Sequence, residues 1–343
     1  MNRLNFILLL VYTGVFYGCS SHSSVTERGN GSSYVSYTGS EVVREQIKES
    51  FNSVRRLQSN VVYRNYYFDV DQLPTKSELQ TAQLRDIATD TFIDDHSNAG
   101  TAIVISKNRT GPVLLTASHV VSYPDTIWHY RTSANTGPDA PIEGISIRQS
   151  VSHYIIEGES LISFEIAAND PRRDIAILTA NISRSVPTEI PALMIEPGSA
   201  SSLDWTDLVY VVGYPRGIQM VTSAMVSNFQ ISPRRSFILD SSFNRGFSGG
   251  AVFSVKQDGS GLEWVGILSA AYAETEFYLS PPDSEQIDDN INREYTGPLV
   301  LRRAARVNYG ITYGVGIDEI EGFFDDSAEI LNRLGIEHPA FSD

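Results

Sequence analysis

The chain is short of cysteine, of positive charge and of long apolar runs, and each shortage removes a class of protein. One cysteine, Cys19, in 343 residues excludes an intrachain disulfide, so the fold must stand on packing and hydrogen bonds alone. Lys and Arg number 26 against 41 Asp and Glu, a net charge of −15. Nucleic-acid binding needs basic patches, and no such partner is expected. The acidic balance favours solubility and names no partner by itself. The longest apolar run, Leu4 to Tyr17, falls short of the ~20 residues a spanning helix needs. There is no internal repeat.

What is present describes a globular protein with a sizeable core: 41% hydrophobic and 20% charged residues, enough chain for one large domain with appendages. Met1-Asn2-Arg3 and the apolar run after it read as a signal peptide over residues 1–18. The run ends Phe16-Tyr17-Gly18-Cys19-Ser20-Ser21, which resembles a bacterial lipoprotein cleavage site. The resemblance implies a palmitate-type lipid on Cys19, export, and attachment to the cell envelope at an outer membrane or periplasmic face. Phe16 and Tyr17 depart from that motif, and the alternatives are an ordinary secretory signal with an incidental cysteine or an uncleaved anchor. Residues 19–40, rich in Ser, Gly, Thr and Asn, have the composition of a flexible tether.

Residues 41–85 are expected as a helical and extended N-terminal extension. Val43, Ile47, Phe51, Val54 and Leu57 fall at helical spacing behind Ser40, and Thr75-Lys76-Ser77-Glu78 has the form of a capping box. Residues 86–336 read as the main domain. Short β-prone segments, from Thr101–Ser106 to Ile311–Val315, alternate with Gly, Pro, Asn and Asp, which predicts an all-β barrel or sandwich. The acidic stretch 274–298 is expected as a surface loop insertion. Asp318–Leu334 is expected as a C-terminal helix or broken helix pair stopping at Gly335, before a tail at 337–343.

The chemistry centres on Ser242-Phe243-Asn244-Arg245-Gly246-Phe247-Ser248-Gly249-Gly250. A serine flanked by glycines between strands suits a nucleophile on a tight turn, and Gly246 can adopt a positive φ that aims its N–H beside the Ser248 hydroxyl. Such a serine needs a base and the base an orienting acid. Of six histidines (His22, His96, His119, His129, His153, His338), His119 follows a buried-type strand with small neighbours, in Thr116-Ala117-Ser118-His119. Asp174 opens the apolar run Ile175-Ala176-Ile177-Leu178, where an imidazole N–H would satisfy a buried carboxylate. Asp170, before Pro171, is the competitor and is expected to be exposed.

These three segments, in this order, resemble the catalytic segments of trypsin-like serine proteases. The glycine-led hairpin before His119, Gly213-Tyr214-Pro215 and Tyr313-Gly314-Val315-Gly316 are closer to the bacterial HtrA-type branch, over roughly residues 86–335. The resemblance implies two six-stranded antiparallel β-barrels. It implies a serine endopeptidase acting on a protein or peptide substrate through His119, Asp174 and Ser248 by way of an acyl-enzyme. Gly246 and Ser248 would form the oxyanion hole; Ser242, Arg245, Ser269, Ala270 and Ala271 would line the substrate cleft. No metal or organic cofactor is expected.

The departures sharpen this. Phe247 stands where digestive relatives carry an aspartate that pairs with a newly cleaved N-terminus, which disfavours activation of that kind. Neutral Ser242 disfavours cleavage after Lys or Arg, and Leu268 disfavours cleavage after Glu, leaving small or medium uncharged side chains. Two other readings stand beside the protease. One is a non-catalytic surface lipoprotein using the same fold as a binding or scaffold module. The other is an esterase, since Gly246-x-Ser248-x-Gly250 also satisfies a nucleophile elbow; only His338 follows the serine, against that order.

Overall fold

A computed structural model describes residues 40–131, 137, 139–181, 190–232, 235–241, 243–280, 297 and 300–336, with side chains described except at 230, 235, 270–278, 280 and 300–309. The expected signal peptide, Cys19, the expected tether up to residue 39, Ser242 and the expected tail lie outside the described residues.

The first helix, α1 (Glu41–Ser50), starts where expected. The Ser40 side chain accepts from the Val43 N–H at 3.4 Å, with Glu41 in the first turn and Lys48 in the last, each suited to the helix dipole. Val43 and Ile47 are buried, each side chain worth about 1.5–3 kcal/mol. The helical spacing does not continue to Leu57. Val54–Tyr67 is a strand, β1, whose residues Leu57, Ser59, Val61 and Tyr63 alternate inward. The segment expected as an extension therefore contributes a strand to the first barrel.

That barrel is a ring of antiparallel neighbours. β1 pairs with β2 (Asp90–Asn108), which pairs with β3 (Gly111–Thr116). β3 pairs with β7 (Ile175–Ala180), β7 with β6 (Ser160–Asp170), and β6 with β5 (Ile142–Glu157). β5 returns to β1 and closes the ring. A seventh strand, β4 (Thr126–Tyr130), lies on β5 outside it. Between β1 and β2 the short helices α2 (Lys76–Leu79) and α3 (Leu84–Ile87) lie over a small apolar cluster of Tyr66, Phe68, Leu79, Ile142 and Ile145. α2 begins with the expected capping box between Thr75 and Glu78.

The second barrel closes in the order β10-β13-β12-β11-β8-β9. Its members are β8 (Leu208–Gly213), β9 (Met220–Ser232), β10 (Arg235–Leu239), β11 (Ala251–Val255), β12 (Leu262–Ser280) and β13 (Val300–Gly316). Two closed six-stranded antiparallel barrels are thus the architecture, as the sequence led one to expect. The stretch 274–298 is not all loop. β12 runs on to Ser280, paired with β13 from Ala273↔Val307 out to Ser280↔Val300, so residues 274–280 form one arm of a hairpin. The chain closes with α5 (Ile317–Asp326) and α6 (Ala328–Arg333), and Gly335 takes φ 65°.

One apolar cluster joins both barrels to the terminal helices. It holds Val43 and Ile47 of α1, Ile103 and Leu115 of the first barrel, Val212, Phe253 and Trp264 of the second, and Phe323 and Phe324 of α5. The residues of chemical interest lie where the barrels meet.

Candidate active site

β3 delivers His119. The strand ends at Thr116 and a single helical turn, α4 (Ser118–Val121), follows, with Val120 and Val121 buried beneath it. That anchoring leaves the imidazole partly open, with 35% of the side chain exposed, whereas the Asp174 side chain is 2% exposed.

Asp174 precedes β7 in the left-handed region, at φ 63°, a conformation that costs a non-glycine residue about 1–2 kcal/mol. Its hydrogen bonds offset that cost. Its carbonyl accepts from the Ser118 N–H at 3.1 Å. Its Oδ1 accepts from the His119 backbone N–H at 2.9 Å. The ring Nδ1 of His119 lies 3.0 Å from Oδ1 and 2.9 Å from Oδ2, and the Ser269 hydroxyl donates to Oδ2. Burial alone would push this carboxyl up. The ring and backbone hydrogen bonds of His119, its charge and the Ser269 hydroxyl outweigh burial and hold it below the usual carboxylate range. A carboxylate on Nδ1 fixes the proton there and leaves Nε2 as the free acceptor.

Asp170 is elsewhere. It is mostly covered rather than exposed, accepts from the Arg172 N–H at 2.8 Å and pairs with Arg173 at 3.1 Å. The other described histidines are also separate. His153 is buried against Ser59 at 2.7 Å, His129 bonds Ser146 at 2.7 Å, and His96 is exposed beside Asp94.

The loop before β11 holds Ser248 through its carbonyls. Arg245 O accepts from the Arg216 N–H at 2.9 Å, Phe247 O from the Gly250 N–H at 2.7 Å, and Ser248 O from the Thr101 N–H at 2.8 Å. Gly246 O accepts from the Thr101 hydroxyl at 2.6 Å. In a trans peptide the C=O and the following N–H point opposite ways. Clamping Arg245 O and Phe247 O therefore aims the N–H groups of Gly246 and Ser248 away from those partners. Neither N–H donates to any described residue. Two such donors side by side can receive a developing oxyanion.

Glycine is required at two points of this loop. Gly246 has φ 103°, and a Cβ there would lie 2.5 Å from Tyr214 O. Gly249 has φ 83°, and its Cβ would lie 2.1 Å from Thr101 O and 3.1 Å from Ala117 N. The second contact places the residue after Ser248 against the segment that leads to His119. Phe247 is 1% exposed and meets Phe243 edge-on, centroids 5.1 Å apart, so an apolar anchor fills the position beside Ser248.

The expected cleft residues divide. Arg245 is exposed. Ser269 is 1% exposed and turned to Asp174, a contact the sequence reading missed because nothing local marks that serine's direction. Ser242 and the side chains of Ala270 and Ala271 lie outside the described set. The described β12–β13 ladder steps from Leu268↔Gly314 to Ala271↔Thr312, a register shift that takes in Ser269 and Ala270. Thr101 also went unmarked. It sits in the run Gly100 to Ile105, which is buried throughout, so no alternation of β2 singles it out.

No curated protein matches the chain. Among solved structures, the chain is similar to an HtrA-type protease, AlgW, in a serine-to-alanine variant with a decapeptide. That pair shares 15% identity with a TM-score of 0.44, over 83% of this chain and 66% of that one. AlgW with a tripeptide shares 16% identity with a TM-score of 0.37, over 76% of this chain and 57% of that one. The chain thus spans less than two thirds of the length of these structures. Residues 100–267, from β2 to β12 and including His119, Asp174 and Ser248, match the trypsin-like peptidase domain family, and that match supports a trypsin-like serine protease.

Proposed function

We propose that the protein is a serine endopeptidase in which Ser248, His119 and Asp174 act together. The observation that carries this reading is the His119–Asp174 pair, bonded at 2.9 Å, beside a serine loop whose carbonyls are clamped. The Ser248 hydroxyl attacks a peptide carbonyl while Nε2 of His119 takes its proton. Asp174 holds the imidazole and stabilises the imidazolium. The N–H groups of Gly246 and Ser248 receive the oxyanion. The intermediate collapses by breaking the C–N bond, His119 returning the proton to the leaving amine. Water, deprotonated by the same histidine, then releases the acyl group from Ser248.

The substrate is a protein or peptide with a small or medium uncharged side chain before the cut. The strand segment at Ser269 and Ala270, where the β12–β13 register shifts, is where its backbone adds. The enzyme works outside the cytoplasm, tethered by lipid on Cys19.

Labelling with a fluorophosphonate probe tests the chemistry. Ser248 should become phosphonylated, and Ser248→Ala should abolish the label. A folded wild-type protein that never labels sinks the enzyme reading and favours a binding module. For the anchor, metabolic fatty-acid labelling should disappear in Cys19→Ala; label that persists rules out lipidation at that residue.

A further inference from the structure

Thr101 is fully buried and makes four hydrogen bonds from one position on β2. Its N–H donates to Ser248 O at 2.8 Å and its O accepts from the Thr116 hydroxyl at 2.7 Å. Its own hydroxyl accepts from the Tyr214 N–H at 2.9 Å and donates to Gly246 O at 2.6 Å. Three of the four partners belong to the second barrel, so one side chain and its backbone tie β2 to both ends of the nucleophile turn.

The hydroxyl's orientation is determined. It has one proton, and the Tyr214 N–H occupies a lone pair, so the proton goes to Gly246 O. That bond fixes the Gly246–Phe247 peptide plane. The plane before it is held by Arg216, itself in a left-handed conformation at φ 51°, and the plane after it by Gly250. Only the middle clamp comes from a side chain. Without it, the Gly246 carbonyl would be buried and unpaired, and rotating that peptide to re-pair it, against the bond from the Phe247 N–H to Asn244 O at 3.3 Å, changes the angle between the two flanking planes that bear the Gly246 and Ser248 N–H groups. Phe247 cannot prevent this, since its ring offers no charged or hydrogen-bonding anchor. The pocket is also closed to substitutes: a Cβ on Gly213 would lie 2.9 Å from both the Thr101 hydroxyl and the Phe247 ring.

We propose that Thr101 is a positioning residue for the oxyanion site, its hydroxyl holding from the first barrel the peptide that links the Gly246 and Ser248 donors, where a charged anchor next to the serine is missing. The inference rests on the serine-protease reading above.

The test is the rate of fluorophosphonate labelling at saturating and sub-saturating probe, with the phosphoryl oxygen standing in for the oxyanion. Thr101→Val keeps the shape and loses the hydroxyl. It should lower the saturating rate constant roughly 10²-fold, with the half-saturating probe concentration and the pH midpoint of labelling unchanged. Thr101→Ser should restore the rate to within about threefold. Thr116→Val, which removes the neighbouring bond to Thr101 O without touching Gly246, should lower the urea midpoint but not the labelling rate. If Thr101→Val does not fold, Thr101→Ala read against Thr101→Ser carries the same comparison. Wild-type labelling with Thr101→Val equally fast overturns the inference alone. So does a loss that appears as weaker probe binding or a shifted pH midpoint, because a general disturbance gives that result. A folded wild type that never labels removes the protease reading and this inference with it.

Discussion

Asp174 holds His119 at two points, its Oδ1 taking the backbone N–H at 2.9 Å while its carboxylate faces ring Nδ1 at 2.9–3.0 Å. The backbone bond fixes where the residue sits, and the ring bond fixes which nitrogen is free. Asp174→Asn separates the two roles. Asparagine tolerates the left-handed backbone at this position, so the fold should survive. An amide that donates rather than accepts at Nδ1 favours the wrong tautomer, and the labelling rate of Ser248 should fall on the order of 10⁴-fold.

Acid should weaken the fold in two stages. Burial, with Arg148 adding to it, pushes His153 down from 6.5 to about 4. Above pH 6.5 both folded and unfolded forms are neutral and the full stability is present. As pH falls from 6.5 towards 4 the unfolded chain gains a proton the folded one refuses, and stability is lost. The loss is on the order of 3 kcal/mol before solvent screening and smaller after it. The depressed Asp174 carboxyl adds a second loss, beginning as pH drops below 3.8, its ordinary value. Urea midpoints measured from pH 7 to pH 4 should decline in wild type and decline less in His153→Gln.

The two glycines of the nucleophile turn should fail differently. Gly249→Ala drives a Cβ to 2.1 Å from backbone oxygen of Thr101, which neither strand can yield, and soluble folded protein should be lost. Gly246→Ala meets Tyr214 O at 2.5 Å in a loop that can shift. It should fold, and its labelling rate should drop about 10²–10³-fold as its N–H leaves the oxyanion position. Circular dichroism together with labelling distinguishes the outcomes.

Phe247 gives a test of what stands beside the serine. Phe247→Asp buries a charge in the apolar cluster that holds Phe243, Val252 and Leu268, and should cost about 3–5 kcal/mol. Phe247→Leu should cost about 1–2 kcal/mol and leave labelling measurable. Denaturant unfolding of the two variants gives the comparison.

The contact of His119 with Asp174 and the turn at Ser248 were legible in the sequence because each residue sits in a short run of small or apolar neighbours that says what the backbone does there. The all-β character was legible for the same reason, as β-prone runs cut by turn residues, whereas the two barrels followed only from the family resemblance. β1 was misjudged because Ile47, Phe51, Val54 and Leu57 keep helical spacing across a helix end, and only pairing with β2 and β5 settles the matter. The arm at residues 274–280 was hidden because its partner lies beyond the intervening stretch, at Val300–Arg306. Thr101 and Ser269 were illegible in a stronger sense. Their partners are 145 and 95 residues away, and no local pattern encodes which hydroxyl meets which carbonyl or carboxylate.

Chain order has a consequence for biosynthesis. Every strand of the first barrel lies before residue 181, so His119 and Asp174 can meet while the second half is still being made. Ser248 and the serine that steadies Asp174 emerge only later, and the barrel that carries them closes with β13, near the C-terminal end. A growing polypeptide therefore holds a base and an acid with nothing to activate. Under the proposed chemistry, the nascent chain stays harmless to its neighbours until β13 has been made.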